Sequence, residues 1–147
     1  VISLRLLPPA SDPLAGLERR LPALIMDSLA QAVAEGLAAA RRRLGPGHGG
    51  PQARTGRLAR SLGGRVYQQG GLYIGELYAD APYAAAQEFG AVIQAQKARY
   101  LKFRVQGRWV QKKQVELPAR PYLRPGRDQA LSALRAALAR NLREATK

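Results

Sequence analysis

The sequence predicts an α+β fold: an antiparallel sheet of four to five strands packed against a long N-terminal helix and a C-terminal helix. Three observations carry that expectation. Apolar residues recur every three or four positions across residues 14–44 and again across 131–142, the spacing of amphipathic helices. Between them lie short runs of alternating character, broken by Gly-Gly and Gln-Gly pairs, which mark strands and hairpin turns. A chain of 147 residues with no internal repeat and no evident linker is expected to form one domain, 1–147.

Residues 1–7 set Ile2, Leu4 and Leu6 against Ser3 and Arg5, the period of a half-buried strand. Pro8 and Pro9 end it. Asp12 as N-cap and Pro13 at the first helical position then open the long helix. Its stripe runs Leu14, Leu17, Leu21, Ile25, Leu29, Val33, Leu37, Ala40 and Leu44, about 48 Å if continuous. Pro22 predicts a kink or a break near residue 20, Gly36 weakens the interior slightly, and Arg41, Arg42 and Arg43 suit the negative end of the dipole. The Gly/Pro loop 45–53 is expected to be the most mobile segment. Thr55 is placed to cap a short helix ending at Leu62. Strands follow near 65–68 and 72–79, joined by Gln69-Gly70-Gly71. A helical turn opens at Pro82 and stops at Gly90. The hairpin at 97–116 supplies two more strands, with Leu101, Phe103 and Val105 facing the core and Lys102 and Arg104 facing out. The last helix starts after Pro125, with Leu131, Leu134, Leu138 and Leu142 as its core stripe.

Composition narrows the chemistry. With no cysteine there is no disulfide framework and no thiolate metal site or nucleophile. The lone histidine, His48, has no histidine or carboxylate within ten residues on either side. No two of the ten acids share a predicted face at helical spacing. No phosphate-cradling glycine motif is present either, so the expectation is a non-enzyme with no cofactor and no metal. No uninterrupted apolar run nears a membrane span and no secretory leader opens the chain, so assembly in the cytoplasm, away from membranes, is expected.

The charge is the strongest signal. Net charge is +14, and residues 97–127 hold ten of the 24 basic residues against one acid, Glu116. That concentration suggests a polyanionic or acidic partner. Lys97, Arg99, Lys102, Arg104, Arg108, Lys112 and Lys113 form the candidate surface, with Trp109 and Tyr100 as anchors. The plainer reading is a solvated strand face whose lysines guard an edge. No zinc pattern, basic zipper or RNP-like strand points to sequence-specific readout.

Three short elements bring a family into view: Thr55-Gly-Arg-Leu-Ala-Arg-Ser-Leu62, then Tyr83-Ala84 leading into Gln87-Glu-Phe-Gly90, then Pro118-Ala-Arg-Pro-Tyr-Leu-Arg-Pro125. In order and spacing they resemble the tail-completion and head–tail joining proteins of tailed bacteriophages, also labelled neck, minor tail or virion morphogenesis proteins. The likeness runs from about residue 12 onward. Ala91 replaces the more usual small hydroxyl residue after Glu-Phe-Gly, and Tyr122 replaces the commoner phenylalanine.

The resemblance implies a structural virion protein assembled in the host cytoplasm. Copies would form a ring, hexameric by analogy with tail symmetry. The ring would touch tail-tube or tail-terminator and head-connector proteins, and the DNA passing through is a further candidate partner. Tyr83, Glu88, Phe89, Arg120, Tyr122 and Arg124 are then candidates for the subunit interface, or else residues that hold the fold. The alternative from another class is a monomeric nucleic-acid-binding protein that uses the basic hairpin.

Overall fold

A computed structural model describes residues 15–51 and 55–147; the strand expected at 1–7 and the Asp12–Pro13 cap lie outside the described residues. Helix α1 (Ala15–Arg43) spans 29 residues, about 44 Å. The break expected at Pro22 does not occur, because the helix runs through it. Pro22 leaves only the Glu18 carbonyl without its helical donor, and residues 18–23 are all exposed, so water can satisfy it.

Next come α2 (Arg57–Ser61), the hairpin β1 (Leu62–Gln69) and β2 (Leu72–Ala79), then α3 (Ala84–Phe89). Thr55 does not cap α2 as expected. Gly56, in the left-handed region at φ 68, holds the cap position, and Thr55 Oγ1 only accepts a long 3.4 Å bond from the Arg57 N–H. The remaining strands are β3 (Ala91–Gln94), β4 (Leu101–Val105), β5 (Arg108–Lys112) and β6 (Gln114–Leu117), before the C-terminal helix α4 (Leu123–Ala145).

The α+β architecture is as expected, but its strands do not form one sheet. Among the described residues there are three two-stranded antiparallel ladders, β1–β2, β3–β6 and β4–β5. The β4–β5 hairpin is nested between the strands of β3–β6, so residues 91–117 make one continuous arm. The extra strand β3 lies in the β-branched run Val92-Ile93, and its pairing with β6 is a long-range choice that periodicity does not reveal.

The core rests on contact between α1 and α4, the most extensive in the molecule. Small residues set it. A Cβ on Gly36 would lie 2.7 Å from both the Ala130 Cβ and the Gly126 carbonyl, so the helices touch backbone to backbone. Gly36 is thus a packing requirement, where sequence reading saw only a weak helix former. The leucine stripe of α4 is correspondingly shallow. Ala137 and Gly126 are buried while Leu131 is 49% exposed.

Polar links finish the seam. Asn141 Nδ2 donates to the buried Ser28 hydroxyl at 2.9 Å, which donates to the Leu24 carbonyl at 2.7 Å, and Arg140 donates to Gln31. By length and composition alone α1 qualifies as a membrane span from Gly16 to Arg43, which a search for uninterrupted apolar runs overlooks. Its Val33 and Ala40 meet β1–β2 and α4 respectively. The described part of the Gly/Pro loop folds back on the end of α1. Gly50 and Pro51 are buried there, and Arg43 donates to the His48 carbonyl at 2.7 Å.

Candidate interaction surface

The three sequence elements meet. Leu58 and Leu62 from the first, Ala84 from the second and Tyr122 from the third are buried together with Ala40 of α1 and Leu44 just past its end. At their junction the Glu88 carboxylate is 4% exposed and receives three backbone donors. Tyr122 N–H at 2.8 Å and Leu123 N–H at 2.9 Å reach Oε2, and Arg124 N–H at 2.9 Å reaches Oε1. These are among the donors that the start of α4 leaves without helical partners, and a carboxylate there also opposes the positive end of the dipole. One side chain, 36 residues away in sequence from Arg124, fixes where the C-terminal helix begins.

The surrounding bonds tighten the junction. Tyr122 is fully buried and its hydroxyl donates to the Ala84 carbonyl at 3.3 Å. Burial, followed by the nearby Glu88 charge, pushes its phenol up to about 12. Arg120 N–H donates to the Gln87 carbonyl at 2.7 Å. Gly90, at φ 76, lets the chain at 117–119 pass, since a Cβ there would sit 2.9 Å from the Leu117 carbonyl. Of the interface candidates, Glu88 and Tyr122 are therefore taken up inside the subunit. Tyr83, Phe89, Arg120 and Arg124 remain exposed. Phe89 at 69% and Val92 at 57% are exposed where α3 meets the arm, and Ile93, the next residue of β3, is exposed on the opposite strand face. Phe89 also borders an open groove of about 760 Å³ between β2, α3 and α4, floored by Leu29, Val33 and Leu134.

The arm carries the charge. Neither β4 nor β5 packs extensively on a helix or another ladder. Its turn is Gln106-Gly107, both with positive φ (48 and 81), the geometry that suits strand twist in a two-residue hairpin, and Arg108 already belongs to β5. Register sorts the side chains. Arg104 faces Trp109 and Lys102 faces Gln111, whereas Val105 pairs with Arg108 and Leu101 with Lys112.

Within β4 the expected alternation holds, but β5 does not extend it into an apolar and a basic face of the whole hairpin. Arg108 and Lys112 share the side of Leu101, Phe103 and Val110, because the turn length sets which β5 residues oppose which in β4. Lys113 sits in the bend between β5 and β6, and Lys97 and Arg99 in the bend before β4. Trp109 is 63% exposed; the Lys102 ammonium and the Arg104 guanidinium lie 5.2 Å and 5.5 Å from its ring centre, within cation–π range. The only side-chain ion pairs among the described residues are Arg65–Glu76 and Arg127–Asp128, so all seven arm cations are unpaired.

Sequence reading missed one further cluster. On the outer side of β1–β2, Arg65 donates to Glu76 at 2.6 Å and the Tyr67 hydroxyl donates to it at 2.5 Å, with Arg65 also over the Tyr78 ring. The Tyr67 bond, then the Arg65 bond, hold the Glu76 carboxyl below its usual range. Only the register Arg65↔Glu76 reveals it; eleven residues of separation give no sequence signal. No group of three or more His, Asp or Glu able to hold a metal comes together among the described residues. No family model, curated protein or solved structure matches the chain.

Proposed function

We propose that this chain is a structural, non-enzymatic protein of a tailed-bacteriophage neck, a tail-completion or head–tail joining subunit that forms a ring on assembly and joins the tail to the head connector. The observation that carries the reading is the convergence of its three family-like elements on one junction, where Glu88 caps α4. Elements that resemble a family only in wording have no reason to meet; here the second and third hydrogen-bond to each other and the first shares their buried cluster. The outward features suit a ring subunit: exposed apolar side chains at Phe89, Val92 and Ile93 for neighbouring proteins, and a basic arm for acidic neighbours or DNA.

The test is negative-stain imaging of particles from a phage or induced prophage lacking the gene. Filled heads beside unattached tails are the expected result. Intact, joined virions would remove the neck reading. They would leave the second one, a monomeric nucleic-acid-binding protein, which the exposed Trp109 between two cations favours.

A further inference from the structure

We infer that the 91–117 arm is a double-stranded DNA clasp, a two-stranded ribbon that enters the major groove tip first and meets phosphates on both walls. Two observations and one dimension point to nucleic acid rather than to an acidic protein surface. The seven cations Lys97, Arg99, Lys102, Arg104, Arg108, Lys112 and Lys113 are all without an ion pair among the described residues. Four of them are split between the two faces of the hairpin, Lys102 and Arg104 on one and Arg108 and Lys112 on the other. A flat partner could engage only one face; the walls of a groove engage both. With side chains a ribbon is about 10 Å thick and the B-form major groove about 12 Å wide, a known fit for a β-ribbon.

Trp109 adds an aromatic surface beside two cations at the leading end. The contacts would be to the backbone and independent of sequence. The deep, narrow major groove of A-form RNA should refuse the ribbon. The neck reading supplies a setting in which DNA passes the arm, but the binding itself does not depend on it.

Trp109 is the only tryptophan in the chain, so its fluorescence reports engagement of the arm directly. The full chain would be titrated with a mixed-sequence DNA duplex of about 25 base pairs between roughly 50 and 200 mM salt. Seven phosphate contacts set a limiting log–log salt slope of about −6, and removing two contacts brings it to about −4.5. Lys102→Ala with Arg104→Ala, and separately Arg108→Ala with Lys112→Ala, should each produce that drop while circular dichroism stays unchanged.

If only one pair matters, the contact is one-faced and the clasp is overturned. Equal binding to an RNA duplex overturns groove entry, and equal competition by poly-glutamate at matched charge assigns the arm to an acidic protein surface. Loss of DNA binding in the presence of unattached tails would overturn this inference and keep the neck reading. DNA binding with intact virions would do the reverse.

Discussion

The junction around Glu88 and the arm at 91–117 treat charge in opposite ways. At the junction a single buried carboxylate is fully answered by three N–H groups. In the arm seven cations have no ion-pair partner among the described residues. The first arrangement lowers the free energy of the fold, because a buried charge is tolerable only when its hydrogen bonds are made. The second adds self-repulsion and little packing, so it does not stabilise the subunit. Within a single chain, then, a buried and satisfied charge serves the architecture, while the proposed binding surface carries a set that the fold leaves without ion pairs.

Substitutions can break that contrast. The largest loss should come from Glu88→Ala, which orphans three N–H groups and uncaps α4. We expect about 3 kcal/mol, read from urea denaturation. A loss under about 1 kcal/mol would return Glu88 to the list of interface residues. Glu88→Gln, which keeps the shape and drops the charge, should cost about half as much. Next, Gly36→Ala should destabilise by about 1–3 kcal/mol despite alanine's better helix propensity, because the added methyl meets a backbone carbonyl. A stabilised Gly36→Ala variant would mean that the helices do not touch there.

Tyr122→Phe should cost about 1 kcal/mol for its lost hydrogen bond. Its phenol also predicts a pH effect. The folded value is raised to about 12, so the stability it contributes is complete below the ordinary tyrosine range near 10 and is lost as pH rises through about 12. Phenolate absorbance should show late titration at Tyr122 and also at Tyr67, which its hydrogen bond to Glu76 raises, and the Tyr122→Phe protein should lose one of the two.

The smallest effect on stability belongs to the arm. Reversing Lys102, Arg104, Lys112 and Lys113 to glutamate together should leave unfolding within about 0.5 kcal/mol while impairing assembly. Full infectivity of that phage would end the functional reading of the arm.

The long helices, the Gly/Pro breaker, the β1–β2 hairpin and the basic concentration at 97–127 were all legible in the sequence, since each follows from local spacing, turn chemistry or a count of charges. The tertiary structure alone decided four things. It brought Glu88 onto the N-terminus of α4, a bond across more than thirty residues. It turned Gly36 from a weak helix former into a close-approach residue, because only a second helix makes its missing Cβ matter. It paired Ala91–Gln94 with Gln114–Leu117, which nests one hairpin inside another and pushes the charge outward. Finally, it placed Arg108 and Lys112 opposite Lys102 and Arg104 by the length of a two-residue turn. Spacing along a chain fixes which residues share a strand face or a helix stripe; which faces then meet depends on long-range pairing that no local period encodes.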